Sequence, residues 1–144
     1  MNNKKEPKSK PRIEKTTPAD ENNVVHTVVG GKGSYCKTPC AECPWLVENT
    51  GNFPAEAFRI SASTAYDMAQ NTFACHMRGS IAPTTCAGFL LRSADHNLSV
   101  RLSKMKGKML DVTEDNRNLH ENYRAMAIAH GVNPDEPCLK PCRD

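Results

Sequence analysis

Aromatic residues are scarce in this chain: four phenylalanines, three tyrosines and one tryptophan make up 6% of its 144 residues. The apolar fraction, 38%, lies below the ordinary range for globular domains. A core built from so little is thin, and small chains with thin cores are commonly held by a metal ion or by disulfides. No apolar run approaches the roughly 20 residues of a membrane span. The start, Met1-Asn2-Asn3-Lys4-Lys5, leads into no apolar segment of the kind a secretory signal carries. The expected compartment is therefore reducing and cytoplasmic, where cysteines act as ligands more often than as disulfides. Internal repeats are absent. Net charge is also small outside the first residues. Residues 1–15 carry six cations against Glu6 and Glu14, or +4 of the +3 total, which leaves the body at −1. A near-neutral body excludes a strong nucleic-acid binder across the whole surface.

Cysteine is what the chain has in quantity: seven, an odd number. Thr38-Pro39-Cys40-Ala41-Glu42-Cys43-Pro44-Trp45 holds a Cys-x-x-Cys pair between two prolines, followed by the single tryptophan. That spacing turns two sulfurs the same way, as a metal knuckle requires. A second set of soft donors arrives at Cys75-His76 and Cys86. Cys40, Cys43, Cys75 and Cys86 make a four-sulfur site. His76 is a rival for one position and Cys142 a further closing candidate, with Cys138 behind it. A closed tetrahedral thiolate site suits zinc, and a four-cysteine iron–sulfur cluster is the alternative. Cys36-x-x-x-Cys40-x-x-Cys43 also has the radical S-adenosylmethionine spacing, but those enzymes need a barrel larger than this chain supplies. A thioredoxin-like pair would want a strand before it and a βαβ context. A cysteine–histidine nucleophile has no fixed geometry here. Gly30-Gly31-Lys32-Gly33 lacks the spacing of a phosphate loop. No catalytic residues are assigned, and a non-enzymatic protein is expected.

The coarse pattern is mainly α, with a small α+β arrangement as the alternative. Residues 1–34 are expected to form a disordered, flexible basic tail, in which Val24–Val29 is either a short strand or a linker. Residues 35–144 form the cysteine-rich domain. Pro54 suits the first turn of a helix over 55–60. Thr64 caps a second short helix over 65–70. The longest helix is expected from Cys86 to about Lys106, because Phe89, Leu90, Ala94, Leu98, Leu102 and Met105 recur at spacings of three and four. The last runs from Leu119 to His130 and ends on Gly131 in a left-handed C-cap. Arg101, Lys104 and Lys108 share a face at the end of the long helix. They offer a phosphate-facing ridge, against the plainer explanation of a solvated helix terminus.

In this order, Cys40-Ala-Glu-Cys-Pro-Trp45, Phe73-Ala-Cys-His76, Cys86-Ala-Gly-Phe-Leu90 and Asp95-His-Asn-Leu98 resemble a family of small cysteine-rich proteins of bacteria and bacteriophages. These carry a domain of unknown function. The resemblance runs from about Pro39 to Cys142 and implies a shared zinc site at Cys40, Cys43, Cys75 and Cys86, with His76 close by. Leu46 departs from it, since an arginine is expected after Cys-Pro-Trp. The resemblance implies a phage or mobile-element setting, hence the host cytoplasm, and no reaction; the expected function is a non-enzymatic accessory protein, with an iron–sulfur or thiol redox regulatory protein as the alternative. Its partner is expected to be a protein, or nucleic acid through the basic tail and Arg101, Lys104 and Lys108, with no membrane involved.

Overall fold

Four short helices carry the domain in the computed structural model, which describes residues 12–18, 24–29, 35–74 and 84–143. They are α1 (Ala55–Ser61), α2 (Ala87–Arg92), α3 (Leu98–Met105) and α4 (Tyr123–Ala129). Single 3-10 turns stand at Val47–Asn49, Ala62–Ala65 and Pro137–Leu139. The domain is mainly α. Helices of two turns are marginal alone, so tertiary packing stabilises each of them.

Ahead of the helices, β1 (Arg12–Pro18) pairs antiparallel with β2 (Val24–Val29), and β2 runs beside α1. Val24–Val29 thus takes the strand form of the two expected for it, and its partner strand is one that the reading of the tail as disordered did not include. The four valines of β2 stand opposite a strand carrying Ile13, Thr16 and Thr17, and β-branched residues favour extended backbone. The charged residues Arg12, Glu14 and Lys15 mask that signal in a composition average. The other residues of the tail lie outside the described ones.

The core gathers Trp45, Leu46, Phe58, Phe89, Tyr123, Met126, Val132 and Leu139, all at most 2% exposed. Trp45 is the hub. Its ring meets Phe73 and Tyr123 edge-on, at centroid distances of 5.8 and 5.9 Å. Leu46, where the resemblance leads one to expect an arginine, is fully buried and bridged to Leu119. A charge could not sit there unpaired.

The single helix expected from Cys86 to Lys106 is two helices. α2 stops at Arg92, and α3 starts afresh from Asn97, whose Oδ1 accepts the Val100 N–H (3.1 Å). Asn97 Nδ2 also donates to Asn71 O (2.7 Å), while Met68 N–H and Leu98 N–H bond His96 O and Ala69 O. The 68–71 segment therefore takes up the backbone groups that the break exposes. That same segment is not the helix expected over 65–70. The chain makes the Ala62–Ala65 turn, and Tyr66 then bridges to Cys142. The last helix is also shorter than expected. Leu119 and His120 pair with Leu46 and Trp45, and α4 begins only after Asn122, which caps it through Ala125 N–H. Its end is as expected: Gly131 has φ +103°, and Val132 N–H closes onto Ala127 O.

Candidate metal centre

The Cys-x-x-Cys turn closes with Cys43 N–H donating to Cys40 O and Leu46 N–H to Cys43 O, both 3.1 Å. Asn49 holds the turn from outside, its Nδ2 donating to Ala41 O and Cys43 O at 3.0 and 2.9 Å. The exit from the turn is fixed by 118–120, through Val47 N–H to Asn118 O and His120 N–H to Trp45 O. Cys86 comes from a separate ladder. Thr85 bridges Tyr35 on one side and Ala74 on the other, Cys36 N–H donates to Thr85 O, and Cys86 N–H donates to Phe73 O.

Gly88, two residues into α2, sets the approach of the two parts. A Cβ there would lie 2.5 Å from Trp45 Cβ and Cγ, so only glycine lets the tryptophan seat on the helix. The consequence is a sulfur pair. Cys43 Sγ and Cys86 Sγ are 3.6 Å apart, on residues 0% and 2% exposed. A disulfide would need about 2.05 Å. Two sulfurs on one tetrahedral zinc, each about 2.3 Å from the metal, stand about 3.8 Å apart. Cys40 adds a hydrogen bond to Cys43, as does the Trp45 backbone N–H. The Cys40 bond draws the Cys43 thiol's pKa down. The hydrogen bond with Cys86 and burial outweigh it, and the thiol finishes well above its ordinary value. Dry neighbouring thiols resist ionising together, and a cation among them reverses that preference.

Among the described residues, no three His, Cys, Asp or Glu side chains close into a set that would hold an ion. The described part of the site is thus the Cys43–Cys86 pair with Cys40 bonded to it. Cys75 and His76 lie outside the described residues. Cys142 faces elsewhere: its Sγ points at Ala62 O (3.8 Å) and Cys138 O (3.7 Å). The tail that carries it is anchored by Arg124, which donates to Leu139 O and Cys142 O. Tyr66 OH donates to Cys138 O at 2.6 Å.

Residues 35–143 match a family of unknown function, DUF6283. The chain belongs to this family. The DUF6283 match takes in all four helices, the Cys40–Cys43 turn and Cys86, and the β1–β2 pair precedes it. A search of curated proteins and a search of solved structures each find no match. No helix among the described residues of the DUF6283 chain is long and apolar enough to cross a membrane.

The DUF6283 domain also has a brace that sequence reasoning missed. His130, at the end of α4, is 6% exposed, and its Nδ1 accepts the Gly51 N–H at 3.3 Å. Its Nε2 therefore carries the proton and donates to Pro44 O at 3.0 Å, between Cys43 and Trp45. The ring stacks on Phe58 at 4.3 Å and meets His120 at 6.0 Å. Burial holds its pKa below the ordinary value, with the Pro44 bond opposing. His120 is held low by burial and then by His130. Nothing in the local sequence marks either role, because Pro44 and His130 are far apart in the chain.

Proposed function

We propose that this DUF6283 protein is a non-enzymatic binding protein whose domain is held together by one structural zinc ion. Cys43 and Cys86 are two of the ligands, Cys40, bonded to Cys43, is a third that a bound ion would draw in, and Cys75 or His76 is the fourth. The supporting observation is the 3.6 Å separation of two buried sulfurs brought from separate parts of the chain. That spacing suits two corners of a thiolate tetrahedron. Cys142 drops out of the set, since its sulfur is directed at carbonyls beside the Ala62–Ala65 turn.

Within the setting that the family resemblance implies, the protein is a phage or mobile-element accessory factor acting on a host or phage protein. The test is metal analysis of anaerobically purified protein together with its melting curve in chelator. Colourless protein with one zinc per chain and a chelator-sensitive fold is expected. Brown protein with iron and sulfide would replace zinc by an iron–sulfur cluster. Metal-free protein that melts cooperatively at the same temperature as before chelation would overturn the proposal.

A further inference from the structure

The break between α2 and α3 turns the apolar stripe of α3 away from the core. Val100 alone of this helix is fully packed, at 1% exposed, whereas Leu102 and Met105 are 47% and 82% exposed. Leu98, Leu102 and Met105, at i, i+4 and i+7, line one face. Met68 extends it. That residue is 49% exposed, its Sδ lies 4.0 Å from Arg101 Nη1, and the next carbonyl, Ala69 O, accepts the Leu98 N–H. Cations accompany this surface: Arg101 and Lys104 on the helix, then Lys106 and Lys108 just after its end. Asp95 reaches Lys104 at 3.9 Å, and the other three make no ion pair among the described residues. The result is an exposed aliphatic strip on a helix whose second half and exit carry four cations, in a domain that has little apolar surface to spare.

The charge selects the occupant. A symmetric pairing with a second copy would set Arg101 and its neighbouring lysines against themselves, which like-charge repulsion opposes. Nucleic acid would satisfy the cations but leave Leu102 and Met105 against phosphate and sugar, with no aromatic ring to stack a base. A helix of two turns without tryptophan or phenylalanine inserts poorly into a lipid surface. Apolar side chains with Arg101, Lys106 and Lys108 on or just after the same helix match a helix that carries apolar residues along one side and carboxylates beside them. Two of the four strip residues are methionines, which adapt to varied apolar partners. We infer that this face docks an acidic amphipathic segment of a partner protein. Its aliphatic side covers Met68, Leu98, Leu102 and Met105, and its carboxylates meet Arg101, Lys106 and Lys108. This deepens the binding-protein half of the proposed function and does not depend on its metal half.

The test titrates a fluorescein-labelled amphipathic peptide of leucine and glutamate into the full chain. The comparison ligands are a scrambled peptide of the same composition, a leucine–lysine peptide, a DNA duplex and phosphatidylserine vesicles. The leucine–glutamate peptide is expected to bind in preference to all four and to weaken as salt rises. The Leu102→Glu/Met105→Glu variant should weaken it by about tenfold or more, the loss typical when anchor side chains are removed. Both side chains are exposed, so the variant's melting temperature and metal content should match the parent's. Failure of the peptide to bind, equal binding to the variant, or preference for duplex or vesicles each overturns the inference, as does a parent dimer that the variant abolishes. A metal-free protein that still binds the peptide through this face would sink the zinc reading alone.

Discussion

Replacing Gly88 by alanine isolates the contact that sets the distance between the Cys40–Cys43 turn and α2. On an open helical surface the change would stabilise the domain by up to about 1 kcal/mol, because glycine is a poor helix former. Here the added methyl meets Trp45 at 2.5 Å, about 1 Å inside the distance at which carbon atoms pack. The atoms struck are Trp45 Cβ and Cγ, at the root of the side chain, so a rotamer change cannot clear them. Either α2 or the turn must move. Overpacking of this kind costs typically about 1–3 kcal/mol, and a clash at a side-chain root belongs at the upper end. Net destabilisation of about 1–2 kcal/mol is expected once the helix-propensity gain is subtracted. In a domain of this size each kcal/mol lowers the melting temperature by about 4 °C. Because Trp45 lies two residues from Cys43, the same shift should widen the sulfur pair and lower zinc affinity in a chelator competition. Gly107→Ala is the control. Its φ is +78°, with open space around it, so it should lose about 1 kcal/mol to backbone strain and leave the metal untouched. A Gly88→Ala protein as stable as the parent, holding zinc as tightly, would refute the packing argument.

Asn97→Ala should cost about 2–3 kcal/mol in urea unfolding. It removes the α3 cap from a fully buried position and leaves the carbonyl of half-buried Asn71 without its donor. Tyr123→Phe should cost about 1–2 kcal/mol, since the buried hydroxyl donates to Phe58 O at 2.6 Å and lies 2.7 Å from Ser61 Oγ. His120 and His130 should titrate below the ordinary value of about 6.5 in a proton NMR titration. With folded values depressed, the neutral forms favour the fold. The stability they contribute is complete above about pH 6.5 and is lost as pH falls through the folded values. A His130 midpoint above 6.5 would contradict its place in the brace.

Local chemistry made some of this fold legible in the sequence. The Cys40–Cys43 turn, the start of α1 after Pro54 and the left-handed Gly131 cap each depend on neighbours within a few residues. The long stripe from Phe89 to Met105 misled for a physical reason. Spacings of three and four mark a continuous apolar face, but they do not record which way each half of it points. The break is decided by Asn97 reaching Asn71 and by 68–71 lying alongside, both of which are tertiary contacts. The segment after Thr64 stays out of a helix because Tyr66 pairs with Cys142 near the other end of the chain. Of the candidate site, the residue types were visible. The approach of Cys43 to Cys86 was not, because it is set by Gly88 under Trp45 and by His130 on Pro44.

X-ray absorption at the zinc edge on the purified full chain addresses the central claim most directly. A first shell of three or four sulfur scatterers at about 2.3 Å is expected. A Cys86→Ser protein should lose one sulfur from that shell or lose the metal altogether. A shell of nitrogen and oxygen alone, or the same sulfur shell in Cys86→Ser, would contradict an ion held between the Cys40–Cys43 turn and α2.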